Sequence, residues 1–356
     1  MNLFYSLLKI LPTKEKIVFC SRQSDSSSMD YKLIQKEMHK RNIKVKIVNV
    51  CKRFENLKDG LIGFSIAMIK SMYHLATSKV CVLDGYWSAA SILKYKKQLK
   101  VIQIWHSIGK IKKSGYQTLD SEYGRKKEIA ELLCMHKNYD YVIAGGSAWN
   151  QYYCESFNID ETIIRNYGLP RIDNFIKNKE AYKEEILKEY PTFKNKKIVL
   201  YASTFRKDEY VNWEGLYEEL GHRQDIAFIC RLHPNQIGEV KGPYTCEEFT
   251  TLQLICACDY LITDYSSVAL EGAVLDKRVL YYLYDKEEYI SKNGLNIDVS
   301  EVMPKDTYYD KESLVKAIED DIYNYEELKN YKEKYLPKVL GHATESIVEL
   351  IEGCLC

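Results

Sequence analysis

Several things are missing from this 356-residue chain, and each absence closes off a class of protein. No segment reaches the ~18 consecutive apolar residues of a membrane span. Cysteine occurs eleven times but never with CxxC spacing. Cys256/Cys258 and Cys354/Cys356 are CxC pairs, and scattered thiols in a chain this large fit a reducing cytoplasm better than a disulfide framework. Neither charge is in excess: 51 basic and 50 acidic residues leave a net charge of +1, which argues against a nucleic-acid partner. There is no repeat and no low-complexity tract. The apolar start, Met1–Pro12, lacks a preceding basic region and is interrupted by Lys9, so it does not read as a signal peptide.

What is present is a 46% hydrophobic fraction, enough for a packed core, and length enough for two domains. Short β-branched runs alternate with helical patterns. Strands are expected at 16–20, 45–50, 80–83, 101–105, 141–144 and 163–167, then at 198–202, 226–230, 260–263 and 279–283. Helical patterns fall at 30–41, 128–136, 181–189 and 251–258, and throughout 311–352. Near-continuous apolar strands separated by helices imply parallel sheets covered on both faces. Two series imply two βα domains, with a break near Tyr167–Arg171, where Gly168 and Pro170 punctuate the pattern. The first domain is then 1–168 and the second 169–335, followed by a terminal segment at 336–356. Ligands of open parallel sheets sit beyond the carboxyl ends of the strands. Two facing sheets would put a cleft between the domains.

Each candidate motif falls at such a strand end. After the strand at 260–263 come Asp264, Tyr265, Ser266 and Ser267, and then a helical pattern containing Glu271. A helix start carries unpaired N–H groups and the positive end of the helix dipole. Two serines add donors, so the feature suits a phosphate, although the same residues also suit a plain N-cap. Glu271, one turn in, suits a ribose or polyol hydroxyl, or simply solvent. Trp105-His106 is followed by Lys110, Lys112 and Lys113. A histidine there can act as general base near neutral pH, and the lysines can hold phosphates as point charges. Arg231 and His233 alternate onto one side of an extended segment, a cationic pair suited to a diphosphate. Thr204 and Arg206 follow the run at 198–200, and Gly168–Asp173 is a turn with an arginine and a carboxylate, suited to setting interdomain geometry.

In this order the motifs resemble those of the bacterial CDP-glycerol glycerophosphotransferases, the teichoic acid primases and polymerases. That family has Trp-His-Gly-Thr followed by lysines; here it is Trp105-His106-Ser107-Ile108 with Lys110, Lys112 and Lys113. Its Gly-x-Pro-Arg-x-Asp turn is Gly168–Asp173. Its Tyr-Ala-Pro-Thr-Trp-Arg segment is Tyr201–Arg206, with Ser203 for the proline. Leu-His-Pro is Leu232–Pro234, Thr-Asp-Tyr-Ser-Ser is Thr263–Ser267, and a later Tyr-Asp is Tyr284-Asp285. The Ser107-Ile108 departure lies beside the base and bears on donor or acceptor identity.

The resemblance implies an α/β fold of two Rossmann-like domains facing across a cleft (the GT-B type), with the C-terminal helix packing back towards the first. The first would be the acceptor domain and the second the nucleotide-donor domain. It implies transfer of glycerol phosphate from CDP-glycerol to a hydroxyl of a lipid-linked glycan or teichoic-acid-like polymer, releasing CMP. CDP-ribitol as donor, or a nucleotide-sugar glycosyltransferase or epimerase of the same architecture, are the alternatives. His106 and His233 are the implied catalytic histidines. Thr204, Arg206, Arg231, Asp264, Ser266, Ser267 and Glu271 are the implied donor and diphosphate residues, joined by His233. Lys110, Lys112 and Lys113 would meet acceptor phosphate. No metal site of the chain's own is implied; Mg2+ would come with the CDP diphosphate.

A lipid-linked acceptor implies a cytoplasmic protein peripheral to the inner membrane face. The stretch Leu61–Tyr73 is apolar around most of its circumference, either a buried helix or an interfacial one. Lys94, Lys96, Lys97 and Lys100 could meet anionic headgroups or simply solvent.

Overall fold

The computed structural model describes residues 1–53, 57–122, 124–206, 211–233, 236 and 240–356, with the backbone alone at 57–62. It divides into two compact units. The first comprises Met1–Ile108, Lys113–Asp173 and Pro337–Cys356, the second Gly109–Lys112 and Asn174–Leu336.

In the first unit the order is α1 (Asn2–Leu8), β1 (Lys16–Ser21), α2 (Met29–Lys40), β2 (Lys46–Cys51), α3 (Leu57–Thr77), β3 (Val80–Leu83), α4 (Ser88–Ile92), β4 (Lys100–Gln103), α5 (Lys127–Leu132), β5 (Tyr141–Ile143), α6 (Asn150–Phe157) and β6 (Ile164–Arg165). The chain leaves this unit inside α7 (Pro170–Glu189), between Asp173 and Asn174. The second unit has β7 (Lys197–Tyr201), α8 (Glu214–Leu220), β8 (Ile226–Cys230), α9 (Thr251–Ala257), β9 (Tyr260–Thr263), α10 (Val268–Val274), β10 (Arg278–Tyr282), α11 (Lys286–Asn293), α12 (Val299–Val302), β11 (Thr307–Tyr308), α13 (Lys311–Glu319) and α14 (Tyr325–Tyr335). The last helix, α15 (Ala343–Leu355), belongs to the first unit again.

Both sheets are parallel. The first has the order β2-β1-β3-β4-β5-β6, the second β11-β10-β9-β7-β8. In each, successive connections reverse direction at one point, between β1 and β3 and between β7 and β9. Crevices open at the carboxyl ends of strands at such a reversal. The central strands are apolar and buried, as in Ile17, Phe19, Val80, Val82 and Ile102 of the first core, whereas the edge strand β2 is largely open. Ile347, Val348 and Ile351 of α15 pack into that same core, where burial of each side chain contributes about 1.5–3 kcal/mol. Val199, Tyr201, Phe228, Ile262 and Leu280 form the second core.

The ten expected strands are all present to within a few residues, and β11 is additional. It is two residues long and carries no pattern of its own. The expected strand through Trp105 stops at Gln103 because Trp105 turns into the left-handed region, at φ +58°. All eleven cysteines are free thiols. Among the described residues no helix is long and apolar enough to cross a membrane.

Candidate active site

In the first unit the site is built on the ends of β1, β3 and β4. The Trp105 turn throws His106 outward: its side chain is exposed, and its ring lies 4.2 Å from that of Trp105. His106 Nδ1 is 3.1 Å from the main-chain oxygen of Asp84, just past β3. A carbonyl only accepts, so the ring proton belongs on Nδ1, and Nε2 carries the lone pair a general base needs. Gln23 Nε2 stands 3.3 Å from the same nitrogen. An Nδ1–H there has the Gln23 amide present its oxygen instead, an exchange of two atoms of equal shape.

The main chain at His106 is held from α7. Arg171 Nη2 donates to the His106 carbonyl at 2.8 Å, while Nη1 pairs with buried Asp30 at 2.6 Å. The Arg171 amide donates to the other Asp30 oxygen at 2.8 Å. Two residues on, Asp173 accepts the Thr344 amide and hydroxyl, at 2.7 and 2.8 Å, at the start of α15. Gly168 has φ +81°, and a Cβ there would stand 3.2 Å from Pro337 Cγ. The Gly168–Asp173 turn thus fixes the His106 main chain and the terminal helix together within one unit.

Sequence reading missed Asp84. Its carboxyl is buried, with Oδ1 unpartnered among the described residues. Burial pushes it up to about 7, against the opposing hydrogen bond from Ser21. An unfolded aspartate titrates near 3.9, so the folded state binds the extra proton. Its advantage is full below about pH 4 and is lost as pH rises towards 7. Asp84→Asn should therefore raise the denaturant midpoint relative to the parent, by a margin that grows from pH 4 to pH 7 and then levels off. A margin independent of pH would show that the carboxyl is ionised throughout.

In the second unit the site sits at the ends of β7, β8 and β9. Ser266 and Ser267 are half-buried, just before α10; Ser266 Oγ lies 3.4 Å from the Val268 amide. Glu271, on α10, is buried rather than solvated. Arg231 is half-buried and donates to the Thr245 carbonyl at 3.1 Å. His233 is exposed, with its ring 5.4 Å from that of Phe205; partial burial and then the charge of Lys112 push it down. Pro234 and Asn235 lie outside the described residues.

Three expected ligands are bound elsewhere. Arg206 is buried, its Nη1 2.8 Å from Asp264 and its Nε 2.6 Å from Asp285. Nη2 reaches the second Asp285 oxygen at 3.0 Å, and Nη1 also meets the Thr204 carbonyl at 3.2 Å. Asp264 further accepts the Thr204 amide at 2.8 Å, and the Thr204 hydroxyl accepts from Lys112 Nζ at 2.6 Å. A guanidinium with four of five donors engaged is placed as a strut between strand ends and has one donor left to offer a phosphate. Asp264 and Thr204 are parts of the same strut. The three lysines are held differently from one another. Lys110 is buried, which pushes it down to about 7; Lys112 is tied to Thr204; Lys113 is exposed in the first unit.

The carboxylates Asp264 and Asp285 are both committed to Arg206. Among the described residues no group of three or more His, Cys, Asp or Glu is placed to hold a metal ion. The chain's own described residues therefore offer no ready-made ligand set for a magnesium ion.

A family model described as CDP-glycerol:poly(glycerophosphate) glycerophosphotransferase matches residues 3–353. A teichoic acid ribitol-phosphate primase of Bacillus spizizenii is 29% identical, over 99% of this chain and 95% of that protein. A teichoic acid glycerol-phosphate primase of Bacillus subtilis is 29% identical, over 82% of this chain and 77% of its own. A teichoic acid poly(ribitol-phosphate) polymerase of B. spizizenii is 28% identical over 98% of this chain, which spans only 58% of that protein's length. Among solved structures, the wall teichoic acid polymerase TagF aligns with TM-score 0.78 at 20% identity, covering 99% of this chain and 93% of that one. A UDP complex of Staphylococcus aureus MnaA aligns at 0.59 and 14%, covering 95% and 96%. These structural likenesses speak for the fold, and with the two parallel sheets they bear out two Rossmann-like domains of the GT-B type.

Proposed function

The chain belongs to the CDP-glycerol:poly(glycerophosphate) glycerophosphotransferase family, and on that footing we propose that it moves glycerol phosphate from CDP-glycerol to a hydroxyl of a teichoic-acid-like acceptor. What carries the reading is the family match over residues 3–353. It is supported by His106 standing exposed at a strand end with Nδ1 against a carbonyl. His106 Nε2 takes the proton of the acceptor hydroxyl. That oxygen bonds to the glycerol-bearing phosphorus, and the bond from this phosphorus to the bridging oxygen breaks. CMP leaves with the electron pair. Arg231, His233, Ser266 and Ser267 hold the diphosphate, where charge-assisted donors stabilise the charge developing on the leaving phosphate.

Relatives named for glycerol and for ribitol match at the same 29% identity, so CDP-ribitol is the second reading. Purified protein supplied with labelled CDP-glycerol or CDP-ribitol and a membrane-linked acceptor tests both. CMP release coupled to label in the acceptor is the expected result; release from neither donor would sink the reading. Replacing Ser266 and Ser267 by alanine should weaken CDP far more than cytidine in calorimetry, each lost bond to a charged group being worth about 1.5–3 kcal/mol. Equal losses would remove the serines from the phosphate site.

The lipid-linked acceptor and peripheral attachment are part of the same proposal. Support comes from exposed apolar residues on two touching helices: Leu3, Phe4 and Leu7 of α1, and Ile66, Ile69 and Tyr73 of α3. The helix expected across Leu61–Tyr73 is thus buried on one face and open on another; the side chains of Leu61 and Ile62 lie outside the described residues. Of the basic run, Lys94 and Lys97 are exposed, whereas Lys96 holds the Leu11 carbonyl and Lys100 pairs with Asp140 at 2.9 Å. The protein should sediment with anionic vesicles, and Leu7→Ser with Ile69→Ser should release it. Sedimentation unaffected by that pair of changes would rule this face out as the tether.

A further inference from the structure

Beside His106 lie two arginines to which the reaction above gives no role. Arg22 is the first residue after β1, at the reversal between β1 and β3 where a crevice opens. Arg125 reaches the same place from the segment before α5, its guanidinium 5.3 Å from the ring centre of Tyr86. Arg125 Nη1 is buried and has no hydrogen-bond partner among the described residues, although the Tyr86 hydroxyl bonds to the same guanidinium. Among the described residues neither arginine has a carboxylate within ion-pair distance. Burial, and then the charge of Arg125, push the Arg22 guanidinium down, with Tyr86 opposing, so two like charges lie near each other with no carboxylate paired to either among the described residues. Exposed Lys126 and Lys127 extend the positive surface.

Two lines of contact join this pair to the base. Gln23, adjacent to Arg22 in the chain, stands 3.3 Å from His106 Nδ1. Tyr86 packs on His136 at 5.5 Å between ring centres, His136 on Trp105 at 6.0 Å, and Trp105 on His106 at 4.2 Å. One aromatic wall therefore runs from Arg125 to the base. Guanidinium groups with no paired carboxylate, half-buried at a strand-end crevice, are matched by an oxyanion with several acceptor atoms, and a phosphate accepts from two forks at once.

We propose that Arg22 and Arg125 bind a phosphate ester at the end of the acceptor, next to the hydroxyl facing His106. This rests on the reading of His106 as the base. It makes the acceptor a chain already ending in a polyol phosphate, and the enzyme one that extends rather than starts such a chain. It also gives acceptor phosphate a site that the dispersed lysines 110, 112 and 113 do not provide.

The test compares two acceptors, one ending in glycerol phosphate and one ending in a neutral sugar. In the parent the first should be preferred. In Arg22→Gln with Arg125→Gln the ratio of the two kcat/KM values should fall by roughly 10- to 100-fold, and Arg125→Lys should recover part of it. An unchanged ratio overturns the proposal.

A second measurement uses the unaltered protein, so it survives both misfolding of the variants and failure of the transfer reaction itself. Phenylglyoxal modifies accessible arginines, and mass spectrometry locates them. Glycerophosphoglycerol should protect Arg22 and Arg125. Protection by CDP alone would move the pair to the donor; protection by an isoprenyl diphosphate alone would move it to the lipid anchor. Either result, or protection by none of the three, overturns the assignment.

Discussion

His106→Ala should remove most of the transfer activity while leaving CDP affinity within a few-fold of the parent. General-base help is worth about 10²–10⁴ in rate, and a fall of that size in turnover is the expected reading. Donor affinity should survive because the residues proposed to hold the diphosphate belong to the second unit: Arg231 follows β8, and Ser266 and Ser267 precede α10. His106 belongs to the first unit and touches Asp84, Gln23 and Trp105. Steady-state turnover and CDP calorimetry on the same preparation separate the two effects. Near-parental turnover would remove His106 from the reaction, and a parallel collapse of CDP affinity would make it a donor ligand.

How much of this was legible in the sequence depended on how far apart the partners lie. The strands were, because a parallel strand buried on both faces is an unbroken β-branched run, as in Lys16–Ser21 and Tyr260–Thr263. So were the residues that end those strands, since a strand's carboxyl end is where an open sheet places its ligands. What those residues do there was not legible. Arg206 and Arg231 look alike in sequence, each following an apolar run, yet only Arg206 meets two carboxylates, 58 and 79 positions further on. Arg171 reads as part of a turn, but its partner Asp30 lies 141 positions away. Asp84, Arg22 and Arg125 carry no local pattern at all. Their character comes from burial and from one another, which strand order creates and spacing does not encode.

Arg206 gives the sharpest stability test. Breaking a buried ion pair by removing one partner leaves uncompensated charge and costs about 3–5 kcal/mol. Here the loss would strand two carboxylates, Asp264 and Asp285, at the strand ends of the second sheet. Burial alone would push the guanidinium down; the Asp264 charge and the Asp285 hydrogen bond outweigh it and hold the group above its usual range. Arg206→Met should therefore lower the melting temperature of the second unit on the order of 10 °C. Arg206→Lys should fall between, since an ammonium keeps the charge but cannot bridge both carboxylates with a planar fork. A phosphate ligand would behave in the opposite way: a variant lacking it would melt at the parental temperature and lose CDP affinity. Scanning calorimetry with and without CDP distinguishes the two, and an unchanged transition with weakened CDP binding would return Arg206 to the donor site.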